Sequence, residues 1–295
     1  MVEFKKTIKL FFMDCEPTKR IKCSVDGTTC IAFKINREDL DKCKDREELK
    51  QSGIYFLFGG TTDNSAKEVV YIGQASRRKN KEGLLNRLLE HNRNPKKDYW
   101  NEAVAFTTTD DSLGATEISY LENHFCKLAI NANRYIVKNG NEPMTGNISE
   151  EKQCTLEEFV YNANLILGAL NYKVLVPLLD KTTNNKKADN ILYLNRKMKK
   201  AGVTAIAKGQ QTRDGFVVFK GSYIVKEDSK AIPEKIHQLR LSAKIDKDRI
   251  LQEDLLFNSP SYAAAFVIGG NINGLTYWKT KEGIPLKNLL NPNNI

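Results

Sequence analysis

Histidine is scarce in this chain, with three in 295 residues. His91, His124 and His237 are dispersed, and none lies at zinc-finger spacing from a cysteine. The six cysteines, Cys15, Cys23, Cys30, Cys43, Cys126 and Cys154, form no C-x-x-C pair. These absences argue against the common zinc modules, and scattered thiols in a chain of this length read as reduced and intracellular. Long apolar runs are also missing. The run Leu10–Met13 is too short for the core of a signal peptide, and no stretch approaches the roughly 20 apolar residues of a membrane span. The expectation is a cytoplasmic protein with no membrane partner. No Ser/His/Asp nucleophile pattern and no Walker loop occurs, and "GGNING" at Gly269–Gly274 lacks the spacing of a phosphate cradle.

Positive charge is present in excess. Lys and Arg number 46 against 36 Asp and Glu, a formal net charge of +10. Such a surplus is silent about fold but favours polyanionic partners, nucleic acid ahead of a membrane surface. A lysine-rich solvated surface is the ordinary alternative. Two runs concentrate the charge. Arg77, Arg78, Lys79 and Lys81 follow directly on a strand and are candidates for tracking a phosphate backbone, whereas Asn195–Lys200 reads as solvated surface.

Along the chain, "KKTIKLFFMD", "RIKCSV" and "TTCIAFKI" have strand character, with Asp26–Gly27 as a hairpin signal between the last two. "REDLDKCKDREELKQSG" reads as a charged helix ended by Gly53. Two strands flanked by glycine follow, "GIYFLFGG" and "VVYIGQA". "GLLNRLLEHN" is an amphipathic helix with Leu84, Leu85, Leu88 and Leu89 inward, "NEAVAFTTTD" is a strand, and "LGATEISYLENHFCKLAINANRY" is a long helix striped by Ile118, Leu121, Phe125 and Leu128. The polar stretch after it suggests a domain boundary, and Thr155 and Glu158 stand at capping-box spacing for a further helix. The rest mixes short strands with helices over "IPEKIHQLRLSAKIDKDRILQ" and "SPSYAAAFVIGG", the latter with Ser259 and Pro260 as N-cap and N1. The expected organisation is N-terminal strands and a helix over 1–50, a central domain over 51–145, helix and linker over 146–190, and a small α+β domain over 191–295.

Tyrosines in apolar strands are mostly half-buried aromatics. Glycines beside Tyr55 and Tyr71 add a second possibility, because glycine inside a strand marks close approach of something to the backbone. Arg87 and His91 are four apart on one helix face, and a guanidinium offers a planar fork matched to phosphate oxygens. Glu122 lies at the edge of an apolar stripe, where a carboxylate is partly desolvated unless paired, and Glu117 at the other edge competes with it. Such a carboxylate forms a salt bridge or holds one divalent cation of the Mg²⁺ type, which keeps several waters and needs few protein ligands.

Gly53-Ile54-Tyr55, Tyr71-Ile72-Gly73, Arg87 in the next helix and Glu122 in the long helix make residues 53–133 resemble the GIY-YIG nuclease superfamily. The resemblance implies an α+β fold, a small central antiparallel sheet flanked by helices, preceded here by N-terminal strands and followed by a small α+β domain. It implies a metal-dependent endonuclease hydrolysing DNA phosphodiesters with one Mg²⁺ or Mn²⁺. Tyr55 would orient or deprotonate water with Tyr71 and His91 nearby, Arg87 would carry transition-state charge, and Glu122 would hold the metal. An asparagine closing the domain would hold loop backbone; Asn133 is the best match, with Asn131 and Asn139 as rivals. Gln74 stands where relatives often have lysine. Roughly Lys226 to Leu290 resembles a small domain of unknown function often found after this module, with Tyr277 and Trp278 read as core. The competing reading is a non-catalytic nucleic-acid-binding protein on a nuclease fold.

Overall fold

The computed structural model describes residues 5–61, 67–77, 83–140, 148–179, 191–198 and 202–290. They form two compact units, the first ending at Pro177 and the second beginning at Leu178. Both are α+β. Among the described residues, no helix is long and apolar enough to cross a membrane.

The first unit is built on a seven-stranded sheet in the order β1-β2-β3-β6-β4-β5-β7. Its strands are β1 (Ile8–Phe12), β2 (Ile21–Val25), β3 (Cys30–Asn36), β4 (Gly53–Thr61), β5 (Glu68–Ala75), β6 (Glu102–Thr108) and β7 (Ile136–Val137). All neighbours are antiparallel except β5 and β7. The N-terminal strands are therefore continuous with the central sheet, because β3 pairs with β6 along its whole length, from Cys30 opposite Thr108 to Asn36 opposite Glu102. This joins segments expected to stand apart.

The central strands are buried on both faces, which is why they read as unbroken apolar runs. The pleat divides β4 between the two. Ile54, Phe56 and Phe58 face one core with Ile118, Leu121 and Phe125 of α2 (Ala115–Ala132), and with Phe159 and Ile166 of α3 (Glu150–Ala169). Phe56 meets the rings of Phe106 and Phe125 edge-on at centroid distances of 5.8 and 5.3 Å. Tyr55 and Leu57 face the other core, with Leu84, Leu85 and Leu88 of α1 (Leu84–Arg93) and Trp100.

Three local expectations change. The charged segment after β3 forms two 3₁₀ helices, Arg37–Cys43 and Glu47–Lys50, because the residues it buries are few, Leu40, Cys43 and Leu49 among them. The helix expected at Thr155 starts earlier: Ser149 caps it by accepting from the Lys152 N–H at 3.3 Å, and Thr155 bonds back to the Glu151 carbonyl inside it. Because α3 covers the first sheet, residues 148–177 belong to the first unit.

The second unit carries a four-stranded antiparallel sheet in the order β11-β10-β9-β8. Its strands are β8 (Leu192–Met198), β9 (Val203–Thr212), β10 (Gly215–Val218) and β11 (Leu255–Phe257). One face packs on α5 (Pro260–Ile268), which Ser259 caps by accepting from the Tyr262 N–H at 3.2 Å and Gly269 ends at φ +69°. Its Ala263–Ala264–Ala265 run is buried, and so is Trp278, whose indole N–H donates to the Pro260 carbonyl at 3.0 Å. The helical expectation over 232–252 shrinks to α4 (Glu234–Ser242); after it the chain turns through the Ile245–Leu251 bridge.

Phe56→Ala should leave a cavity among the Phe106 and Phe125 rings of the first core. A loss of about 3–5 kcal/mol is expected, read from the urea midpoint of the full chain.

Candidate functional site

The site begins with a register. β4 and β5 pair so that Tyr55 lies opposite Gly73 and Gly53 opposite Ala75. Residues directly opposite share a face, so the Tyr55 ring lies over Gly73. A Cβ at Gly73 would collide with the Tyr55 ring and hydroxyl, and one at Gly53 with the Phe106 carbonyl and Leu84. Each tripeptide's glycine is thus a clearance. Gly53 lets β4 meet β6 and α1, and Gly73 gives the tyrosine of the opposite strand a place to lie.

Tyr55 is fully buried. Its hydroxyl reaches His91 Nε2 at 2.6 Å across from α1. Burial, then the charges of Lys97 and Arg87, pull the His91 pKa down to about 4, so the ring is neutral at pH 7 and its tautomer sets which member of the pair donates. Burial pushes the Tyr55 hydroxyl far above the usual phenol range, Tyr71 adds to this, and Arg87 opposes it by charge and hydrogen bonding. Tyr71 is half-buried, with its ring centroid 6.2 Å from that of Tyr55 and 5.4 Å from that of His91. Lys97, at the end of a short 3₁₀ turn, places its ammonium 3.8 Å from the Tyr71 ring centroid. Arg87 also pairs with Glu90 at 2.6 Å.

The rest of the site depends on what β7 leaves uncovered. β7 pairs only with Val69 and Val70. Beyond them the outer edge of β5 would present unpaired peptide groups, and side chains take the place of a strand. Asn139 donates to the Ile72 carbonyl at 2.7 Å and accepts from the Ile72 N–H at 3.1 Å. Two residues on, Glu122 of α2 accepts from the side chain and backbone of Gln74, while the Gln74 amide oxygen takes a bond from Ser119 Oγ at 3.3 Å. Burial raises the Glu122 carboxyl; Gln74 and Arg87 oppose the rise. Glu117 is drawn off by Lys152 at 3.2 Å. An open cleft of about 330 Å³ runs beside this edge, lined by Gln74, Ser76, Asn86, Arg87 and Glu90.

Tyr55, Tyr71, Arg87, His91 and Glu122 thus gather at one edge of the sheet. Asn133 does not join them: it is the left-handed cap of α2 at φ 56° and accepts from Lys67 at 2.8 Å. The backbone-holding part falls to Asn139. Arg77 pairs with Asp111 at 2.5 Å, and Arg78, Lys79 and Lys81 lie outside the described residues. Lys97 carries no motif signal; only the turn after α1 returns it to Tyr71. A larger cavity of about 1010 Å³ near Lys34 and Tyr172 holds none of these groups, and its Glu102 is already held by Lys34 at 2.8 Å and Tyr172 at 2.5 Å.

Among the described residues, no cluster of three or more His, Cys, Asp or Glu is placed to hold a metal. Glu122 alone suits a cation that keeps most of its water shell. Residues 197–290 match the model of a family described as a domain of unknown function, DUF4357, a match that opens within β8, well before Lys226. No curated protein and no solved structure matches the chain.

Two outcomes are expected. Gly73→Ala should cost about 1–3 kcal/mol by overpacking against Tyr55, read by urea unfolding. For His91, the unfolded ring takes its proton near 6.5 and the folded ring near 4, so in that window the unfolded state binds more protons and stability falls as pH falls. The stability-versus-pH curve of His91→Gln should be flatter there than that of the parent, by on the order of 2 kcal/mol across the window.

Proposed function

We propose that the first unit is a metal-dependent endonuclease of the GIY-YIG type that hydrolyses DNA phosphodiesters. The observation that carries this reading is the 2.6 Å bond from the Tyr55 hydroxyl to a neutral His91, with Tyr71, Arg87 and Glu122 ranged along the same strand edge. A buried tyrosine bonded to a neutral imidazole and ringed by cations is an expensive arrangement for packing alone.

In this reading the two tyrosines divide the work. Tyr55 has no exposed surface, so the half-buried Tyr71 is the one that meets water. Tyr71 takes the water's proton as its own passes to Tyr55, and the Tyr55 proton passes to His91 Nε2. His91 is a poor acceptor because burial and the charges of Lys97 and Arg87 outweigh the opposing charge of Glu90. A bound phosphodiester offsets those charges and raises its basicity. Arg87, released from Glu90, carries charge on the phosphoryl oxygens as it develops. Glu122 would hold a Mg²⁺ or Mn²⁺ ion, which when bound stabilises the leaving oxygen and assists the water. That a raised carboxyl ionises readily beside a cation suits the role.

The competing reading, a nucleic-acid-binding module without catalysis, draws on the same contacts. Arg87 is held by Glu90 and Glu122 by Gln74, so each charge already has a structural partner. The readings separate in one experiment on supercoiled plasmid and single-stranded DNA with Mg²⁺ or Mn²⁺. Cleavage is expected from the parent chain. Glu122→Gln, which keeps an acceptor for Gln74, and Arg87→Lys should each cut about 100-fold more slowly or worse while still binding DNA. Absence of products from the parent with either metal, alongside DNA binding, supports the binding module and overturns the nuclease.

A further inference from the structure

We propose that the open face of the four-stranded sheet in the second unit binds single-stranded nucleic acid, with Tyr193 as the stacking platform. The inference goes beyond the cleavage reading and does not need it.

The strand registers assemble the face. In β8 and β9, Tyr193 lies opposite Lys208, Asn195 opposite Ile206, and Lys197 opposite Thr204. Beyond β8, Tyr193 also bridges Lys279, with its N–H donating to the Lys279 carbonyl at 2.7 Å and the return bond at 3.0 Å. Directly paired residues point to the same side. Lys279, Tyr193 and Lys208 therefore make one row, a ring between two ammonium groups, the lysine backbones about 10 Å apart across two strand spacings. The alternate residues Leu192, Leu194, Ala205 and Ala207 take the opposite face and fill the core. Lys197, Lys208 and Lys279 are exposed, Ile206 is 54% exposed, and Tyr193 is half-buried. The Lys208 ammonium stands 6.0 Å from the Tyr193 ring centroid, so the ring already tolerates a cation alongside.

Charge and shape decide the occupant. The four strands contain no aspartate or glutamate, although the whole chain carries 36. Strands that carry lysines and no carboxylate complement a polyanion. A lone aromatic ring on a sheet accepts the flat face of an unpaired base, while neighbouring lysines take the phosphates. Bases in a duplex are stacked on each other and offer no such face. Tyr193 lies just before the residues matched to the domain of unknown function, whereas Lys197, Lys208 and Lys279 lie within them.

The test uses the full chain, fluorescence anisotropy, and labelled oligothymidylate of about 20 nucleotides in EDTA, so that cleavage plays no part. Tyr193→Ala should weaken binding about 10-fold and Tyr193→Phe less than about 2-fold, because stacking needs the ring and not the hydroxyl. K208E/K279E should weaken binding and lower the slope of log affinity on log salt by about 1–2. The charge-matched K235E/K244E, on and just after α4, should bind as the parent does, with circular dichroism melting checking that each variant folds. The proposal is overturned if Tyr193→Ala binds like the parent, if both charge-reversed pairs lose affinity equally, or if a duplex competes as well as the single strand. Displacement of the oligonucleotide by phosphatidylserine vesicles through the same lysines would overturn it too.

Discussion

The first unit turns on the contact between Tyr55 and Gly73. A tyrosine in the middle of a buried sheet must place a bulky ring and a polar hydroxyl where neither has room. Opposite a glycine, the ring can lie on bare backbone. From there the hydroxyl reaches His91 Nε2, which α1 delivers across the same core. Pairing the two makes each odd: the tyrosine cannot ionise and the histidine cannot take up a proton near pH 7. Both groups are thereby kept in one protonation state until charge in the neighbouring cleft changes.

A second constraint is the shortness of β7. A full-length neighbour would have satisfied the outer edge of β5 with backbone and closed it. Instead Asn139 and Glu122 complete it with side chains, at Ile72 and Gln74. These are the residues flanking and following Gly73. The strand that supports the Tyr55 ring therefore has an outer edge capped by side chains rather than by a backbone strand. Polar satisfaction and the proposed phosphate site draw here on the same groups.

The second unit solves a simpler problem. Its sheet packs small and apolar residues against the alanines of α5 on one side, while lysines, Tyr193 and Ile206 lie on the other. Arg240 holds the helical layer together by donating to the Phe266 and Val225 carbonyls and pairing with Asp228 at 2.7 Å. Nothing in that architecture requires a cationic outer face, which is why its charge is open to a functional reading.

Much of this was legible in the residues. The apolar runs of the strands, the leucine pattern of α1, the stripe of α2 and the Ser259–Pro260 start of α5 are local, and local sterics and burial suffice to fix them. So were the two glycines, which marked close approach without saying of what. Three things were settled only by tertiary structure. Strand pairing beyond the next turn joined β3 to β6 and drew the N-terminal strands and α3 into one core, since hydrogen-bond partners across a sheet are not encoded by neighbours in sequence. Chain return after α1 set Lys97 over Tyr71, and the turn after α2 gave Asn139, rather than Asn133, the edge of β5. By itself the sequence determined which side chains were out of place for simple packing; their partners came from long-range pairing, because a hydroxyl 36 residues from its imidazole meets it only when the sheet and helix between them have packed.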